Sequence, residues 1–399
     1  MLPPEKIQAL ADPVESVYIH MVGELLVNIG KHVTSPTWTH TAEWEIKKLS
    51  ELGQLTRENA AIINRWIKKI PEAVREAMTA TRSEALDRIE KLMEQASEPG
   101  AITPAPREST LDEFRDLSRQ ATDKFNLVNT NMLNSSVDMF TQVILDTARD
   151  VREAEAMEQD LLARAAATQE ILNEAAANRI SGAETREKAV RRAIDRISEE
   201  GLTGFIDRAG RHWTPEAYVN MVTRTTLHNV AIEATRNRME DAGIHIFQYS
   251  SHAGARPLCY PIQGKFFSWT ETEPGYFTDG MGEKHLYMPF NDEYVEGYGT
   301  PAGPFGINCR HYPIPIFEGI SIPHGQDNIQ SPEDNARTYA QSQEQRRLER
   351  QIRAEKRRLE MLGDMATAED KARLQKANEE MEKFIERTGR TRRPDRERI

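Results

Sequence analysis

The sequence predicts a mainly α-helical protein that carries one small α+β module, and three observations support this fold class. Apolar residues recur at helical spacing over most of residues 5–97 and 111–200. The region 251–325 is instead rich in Gly, Pro, Tyr and Phe and has little helical periodicity. Hydrophobic residues make up 38% and charged residues 29% of the 399-residue chain, which suits long helices with narrow apolar stripes and large solvated faces.

Residues 1–96 are predicted to form an extended region of several helices. Ile19, Val22, Leu25, Leu26 and Ile29 recur at helical spacing, and a second periodic stretch runs from Trp44 to Ile70. Pro71 is expected in the first turn of the next helix, where its missing N–H group costs nothing.

Residues 97–110 contain three prolines and small polar residues, so they are interpreted as a linker. Residues 111–200 are again predicted to be helical, since they are rich in Ala, Glu and Arg. Their charge runs are interpreted as solvated helix faces.

Residues 201–325 are predicted to form a compact α+β module, called the Cys/His module below. Glycines at 201, 204 and 210 among short apolar pieces favour a β-hairpin or a tight loop. Thr214 followed by Pro215 predicts a helix start, and the helix is expected to run to about 241 and stop at Gly243. Residues 244–250 alternate in polarity and predict a strand.

Residues 326–399 are predicted to form one long charged helix followed by a basic tail, since a sparse apolar stripe lies between strongly charged faces. Residues 330–399 hold 18 basic and 15 acidic residues, whereas the rest of the chain holds 34 basic and 48 acidic residues. Contact with DNA or with an acidic partner is therefore expected near the C-terminus. The candidate contact residues are Arg346, Arg347, Arg350, Arg353, Arg357 and Arg358.

The bulk composition argues against several classes of protein. A net charge of −11 is not that of a generic nucleic-acid-binding protein. Two cysteines do not make a disulfide framework, the N-terminus lacks the features of a signal peptide, and no apolar run reaches membrane-spanning length. The protein is expected to be made in a reducing cytoplasm, with no membrane partner and no small-molecule substrate.

Four residues of the Cys/His module have the side chains that zinc prefers. His252 precedes Cys259 by seven residues, and Cys309 and His311 follow 50 residues later. Cys₂His₂ sets are common at structural zinc sites, and a metal would hold together an irregular Gly- and Pro-rich segment. The alternatives are two buried free thiols beside ordinary polar histidines, or a disulfide, which a reducing compartment disfavours.

Catalysis by the same residues is a further alternative. A Cys/His pair makes a thiol nucleophile and its base, and Glu283 and His285 would supply an acid or base. Arg256 and Arg310 flank the cysteines and would bind an anion or lower a thiol pKa. Equally, they would pair with carboxylates or with the backbone of a neighbouring subunit. The sequence has no HExxH, GxSxG, Walker or GxGxxG motif, so no catalytic residue is predicted.

The Cys/His module also carries a resemblance to a known family. FIDRAGRHWTPEAYVNMVTRTT, SSHAGARPLCYPIQGKFFS and YGTPAGPFGINCRHYPIPIFEG resemble segments of the phage minor capsid protein 2 family. The resemblance spans roughly residues 10–360 and includes the C-terminal YAQSQEQRRLERQIRAEKRRLE. Its motif residues are Arg256, Gln263, Gly264, Asn308 and Arg310. More distantly, Asn308 to His311 resembles the NCRC-like motif of head-morphogenesis proteins, with a histidine where those have a second cysteine.

The resemblance implies a structural head protein of a tailed bacteriophage, present in few copies at the portal vertex and not an enzyme. It implies the portal protein as partner, with further copies of the chain, major capsid or scaffold protein and packaged dsDNA as additional expected partners. The expected locations are the virion and, during assembly, the host cytoplasm. The alternatives are a virion-carried enzyme or effector that uses the Cys/His module, and an ejected DNA-binding protein that acts through the C-terminal segment.

Overall fold

A computed structural model describes most of the chain. The described residues are 2–34, 41–97, 113–166, 188–192, 194–195, 198–199, 201–202, 205–207, 210, 212–323 and 329–399. Most of the predicted linker 97–110 lies outside these residues. The fold is mainly α with a small β part, as the sequence predicts.

Long helices account for most of the described chain. They are α1 (Pro4–Thr34), α2 (Thr41–Ser50), α3 (Leu52–Ile67), α4 (Ile70–Ser97), α5 (Glu113–Ala166), α6 (Pro215–Asp241), α7 (Pro332–Leu362) and α8 (Ala368–Thr388). Described residues between 188 and 199 are also helical. The predicted position of Pro71 in the first turn of a helix is confirmed, as is the predicted extent of α6. No helix in the described ranges is long and apolar enough to cross a membrane.

The strands form two small sheets. The predicted hairpin is present as β1 (Phe205–Ile206) paired antiparallel with β2 (His212–Trp213). The larger sheet contains β3 (Ile246–Tyr249), β4 (Phe266–Ser268), β5 (Gly275–Thr278), β6 (Lys284–Pro289) and β7 (Pro313–Pro315). Its strand order is β5-β6-β4-β3-β7, in which only the β4–β6 pair is parallel. The predicted strand at 244–250 is β3.

The chain divides into two compact units, each assembled from separate chain segments. Unit 1 comprises Met1–Ser16, Lys69–Asn126 and Ala217–Glu344. Unit 2 comprises Val17–Lys68, Leu127–Glu216 and Gln345–Ile399. Each unit combines pieces of several of the consecutive segments predicted from the sequence (1–96, 111–200, 201–325 and 326–399).

The core of unit 1 packs α4 and the end of α6 against the larger sheet. Aromatic and aliphatic side chains from both sources are buried in one cluster, which includes Ile89, Met93, Met239, Phe247 and Phe267. The rings of Phe247 and Trp269 stack with their centroids 4.0 Å apart, and further aromatic contacts converge on Phe290. This core contains residues of β3 and β4, and β7 pairs with β3; the Cys/His loops extend from these three strands.

The C-terminal segment of unit 2 is a helical hairpin. Where the sequence predicts one long helix, α7 ends at Leu362 and α8 begins at Ala368. The chain can turn there because Gly363 adopts a positive φ of 50° and Thr367 caps α8 in a reciprocal capping box with Asp370. The apolar stripe of α7 (Leu348, Ile352) then packs against that of α8 (Ala377, Met381, Phe384).

Candidate metal centre

Two irregular segments leave the larger sheet and meet beside it. The first follows β3 and carries Cys259 just before a 3₁₀ turn at Tyr260–Ile262 that leads into β4. The second precedes β7 and carries Cys309 and His311. Backbone bonds join the two segments to the sheet: Ser250 N donates to Tyr312 O (3.1 Å) and Tyr249 N donates to Lys265 O (2.8 Å). The sheet therefore holds both segments in register.

Three of the four predicted zinc ligands come together. Candidate ligand atoms of Cys259, Cys309 and His311 all lie within 4.8 Å of one another, and all three residues are buried. The two Sγ atoms are 4.0 Å apart, and Cys309 Sγ lies 3.5 Å from His311 Nδ1. Both cysteines are free thiols, so the predicted alternative of a disulfide is not formed.

Gln263 fixes which nitrogen of His311 faces the cysteines. Its Oε1 accepts a hydrogen bond from the backbone N–H of His252 at 2.7 Å and lies 3.1 Å from His311 Nε2. A backbone N–H only donates, so the atom at that position is the amide oxygen, and His311 Nε2 must donate to it. In the tautomer with its proton on Nε2, the lone pair is on Nδ1, which faces Cys309.

His252, the fourth predicted ligand, lies beside this cluster but is not a member of it. Its ring packs on that of His311 with centroids 4.2 Å apart, and Nδ1 donates to its neighbour's carbonyl oxygen, Ala253 O, at 3.0 Å. Burial and the adjacent His311 lower the pKa of His252 to about 4. The His252 imidazole is therefore neutral at physiological pH, and its ring packs against that of His311.

The two thiols are not equivalent. A hydrogen bond to Cys309 and burial raise the pKa of Cys259. Burial also opposes ionisation of Cys309, but the hydrogen bond with Cys259 acts in the opposite direction, and the Cys309 pKa is lowered. Ionisation is therefore easier at Cys309 than at Cys259.

Arg256, a predicted motif residue, clamps the second segment to the first. Its guanidinium donates to Ile307 O at 2.7 Å and to Gly303 O at 2.9 Å, and it lies 3.7 Å from Cys259 Sγ. Two of its donors bind backbone carbonyls of the same chain, so these contacts support a structural role for Arg256 rather than anion binding.

The other predicted motif residues shape the surrounding backbone. Gly264 has a positive φ of 73°, which L-residues rarely adopt, and its N–H donates to Tyr249 O. Asn308 also has a positive φ, of 59°, immediately before Cys309. Arg310 is half-exposed and pairs with Glu5 of the same unit at 3.5 Å. The motif residues therefore set the path of the two loops.

Sequence reasoning missed two residues that contact the cluster. Tyr249 OH lies 3.4 Å from Cys309 Sγ, and burial with the adjacent thiols raises its pKa well above the usual value. His228 on α6 places Nε2 2.7 Å from His311 O, and burial lowers its pKa. Neither has a local motif, since one is an ordinary strand aromatic and the other lies 83 residues from its partner.

Glu283 and His285, considered above as an acid or base for a thiol nucleophile, lie on the β5–β6 hairpin and are not part of the cluster. His285 Nε2 instead contacts Asp279 Oδ2 at 2.9 Å, and the same carboxylate caps the backbone N–H groups of Met281 and Glu283. These contacts stabilise the hairpin turn.

The predicted DNA-contact arginines require a correction. Arg357 is buried and paired with Glu216, and Arg358 is buried between Asp195 and Asp370. Buried, ion-paired guanidinium groups do not reach a phosphate backbone, so these two are wrong as DNA contacts. Arg347 and Arg350 are exposed, whereas Arg346 and Arg353 are half-buried, with Arg353 bonded to Arg396 O.

Comparisons with known proteins match this chain to one protein family and to structural proteins of phages. The sequence profile described as phage minor capsid protein 2 matches residues 2–168 and 161–386. A protein named structural protein from Lactococcus phage LL-H is 26% identical over 317 residues, which cover 79% of this chain and 76% of that relative. A structural protein of Lactococcus phage mv4 is 42% identical over 65 residues, or 16% of this chain and 51% of that relative. No solved structure gives a significant match.

Proposed function

The chain belongs to the phage minor capsid protein 2 family, and on that premise we propose that it is a structural head protein that binds the portal vertex of a tailed phage. In this role the protein would also support head assembly and the packaging or ejection of DNA. Its proposed partners are the portal protein and further copies of the chain, within the virion.

The geometry around the thiols supports a structural rather than a catalytic role. The cavity that reaches Cys309 has a volume of only about 20 Å³ and is lined by residues such as Leu2, Ile7 and His228. A volume of that size holds roughly one water molecule. A substrate would need the buried loops to open, whereas a residue cluster that holds two loops together needs no access.

Ile46, an exposed apolar residue in the N-terminal helical region, is a position at which portal binding can be tested. On α2, Trp44 is buried, whereas Ile46 is 70% exposed. Single exposed apolar residues are common on monomers, so Ile46 is a test position and not evidence on its own. It lies in residues 1–96, the N-terminal helical region through which we propose that the chain contacts the portal.

Co-sedimentation of the full chain with purified portal oligomers of the same phage tests the proposal. The wild-type chain is expected to sediment with the portal, and Ile46→Asp is expected to weaken binding about tenfold or more, since a charge would be buried at the interface. Met281→Asp is the matched control, because Met281 is 73% exposed on the β5–β6 hairpin in the Cys/His module.

Two results would contradict the proposal in different ways. Absence of any binding between the folded wild-type chain and the portal would reject portal-vertex binding. Normal binding by Ile46→Asp together with weak binding by Met281→Asp would keep the portal role but move the contact from the N-terminal helices to the Cys/His module.

A further inference from the structure

We propose that Cys259, Cys309 and His311 bind one structural Zn²⁺ ion and that Gln263 is the positioning residue for His311. The two thiolates and Nδ1 of the imidazole would be the protein ligands. The ion would join the segment after β3 to the segment before β7, next to the core of unit 1.

The distances among the ligand atoms fit a tetrahedral zinc ion. With Zn–S bonds of about 2.3 Å and Zn–N bonds of about 2.05 Å, tetrahedral geometry requires S···S separations of about 3.8 Å and S···N separations of about 3.6 Å. The observed values are 4.0 Å for Cys259 Sγ to Cys309 Sγ and 3.5 Å for Cys309 Sγ to His311 Nδ1. These two separations are within a few tenths of an ångström of the ideal values, and the third pair, Cys259 and His311, lies within 4.8 Å.

The hydrogen bond between Gln263 and His311 is the second observation that points to a metal. Histidine ligands usually donate their other ring N–H to a fixed acceptor, which orients the ring and sets its tautomer. Gln263 Oε1 provides that acceptor at 3.1 Å and is itself held by the His252 backbone N–H at 2.7 Å. The lone pair of His311 is therefore directed towards the sulfurs before any ion binds.

The donor set selects the class of metal. Two thiolates and one imidazole suit Zn²⁺, whereas Mg²⁺ and Ca²⁺ prefer oxygen ligands. Cysteine binds zinc as the thiolate, so uptake of the ion releases protons. His252 lies outside the ligand cluster, so water would complete the coordination of an ion held by these three ligands.

The test begins with metal analysis of the full chain purified without chelators from zinc-supplemented cells. About one zinc per chain is expected, and less than about 0.2 per correctly folded chain would overturn the proposal. Co²⁺ added to the metal-free chain should give a thiolate-to-cobalt charge-transfer band with tetrahedral d–d absorption. Cobalt absorption without a thiolate band would also overturn it.

Variants separate the ligands from their neighbours. Cys309→Ser and His311→Ala are expected to lose stoichiometric zinc, while the matched control His252→Ala retains it. Gln263→Leu keeps every ligand and is expected to weaken zinc affinity about 10–100-fold in chelator competition. Gln263→Glu keeps the acceptor oxygen and is expected to retain the wild-type affinity, which separates the positioning role from a general loss of stability. Unchanged affinity in Gln263→Leu would reject the positioning role, and zinc loss in His252→Ala would reject the three-ligand set. If a ligand variant fails to fold, the cobalt spectrum of the wild-type chain still decides.

Discussion

Replacement of Asp370 by Ala is expected to destabilise the C-terminal hairpin of unit 2 more than any surface change. Its carboxylate is buried and accepts from Arg358 Nη1 at 2.6 Å, Arg191 Nη1 at 2.9 Å and Thr367 N at 2.7 Å. Removing it leaves the guanidinium of Arg358, which is 5% exposed, with only Asp195 as its carboxylate partner.

The expected cost is about 3–5 kcal/mol, the usual effect of removing one partner of a buried ion pair. Amide hydrogen exchange in α7 and α8 measures the local opening free energy, and it should accelerate by more than about a hundredfold in the variant. Asp334→Ala is the matched control. Asp334 also lies in the first helical turn and pairs with an arginine, Arg337, but both side chains are exposed, so a change of under about 1 kcal/mol is expected.

The Asp370 carboxylate also makes the stability of the hairpin depend on pH. Although burial alone would raise it, hydrogen bonds from Thr367, Arg358 and Arg191 lower the pKa of Asp370 well below its usual value. The unfolded chain therefore binds the proton first, and the stabilisation is present above about pH 4 and is lost as the pH falls further. Asp370→Ala should lack this component of the acid sensitivity. Equal exchange rates in the two Ala variants, or identical acid profiles of wild type and Asp370→Ala, would refute the reasoning.

Two further substitutions, one at a helix cap and one at a tightly packed glycine, are each expected to lower the stability of the chain. Thr367→Ala removes the capping box of α8 and should cost about 1 kcal/mol, measurable as faster exchange in the first turn of that helix. Gly280→Ala should lower the melting temperature of the chain, because a Cβ there would lie 2.3 Å from Ile320 O. Gly53→Ala is its control: the nearest contact is the flexible Arg57 side chain at 3.7 Å, so a gain of about 0.4–1 kcal/mol in α3 is expected. A destabilised Gly53→Ala or an unaffected Gly280→Ala would contradict these steric arguments.

The parts of the fold that local patterns specify could be predicted from sequence. The start of α6 after Thr214, the strand at Ile246–Tyr249 and the β1–β2 hairpin follow from capping residues, alternation and glycines. The break between α7 and α8 was missed, because an apolar stripe with a single glycine at 363 also fits one continuous helix. What decides it is a tertiary contact, the packing of Leu348 and Ile352 against Met381 and Phe384.

The candidate site could likewise be predicted where local sequence patterns specify it, and not where contacts between distant residues decide it. The short spacing of Cys309 and His311 and the presence of Cys259 were sufficient to propose a ligand set. His252 matched by residue type alone, and only the loop path places it outside the cluster. The arginines at 357 and 358 looked like part of a basic surface, but their partners Glu216 and Asp195 lie more than 140 residues away. Sequence composition counts charges and cannot tell which of them are paired and buried.

A metal cross-link would explain how the segment before β7 keeps one conformation. That segment has little regular structure and places two non-glycine residues, Phe305 and Asn308, at positive φ, a conformation that costs free energy.

Cys259 and Cys309 are 50 residues apart. A cross-link that closes a loop of that length lowers the entropy of the unfolded chain, and the chain-entropy relation for disulfides gives roughly 4 kcal/mol for it. Arg256 alone contributes two hydrogen bonds to the same segment, or about 1–3 kcal/mol each as bonds to a charged donor. If zinc is present, the metal-free chain should therefore exchange amide hydrogens faster within 299–312 while the strands of the larger sheet stay protected. Uniform exchange across both would mean that the aromatic core, and not the ion, holds the loops.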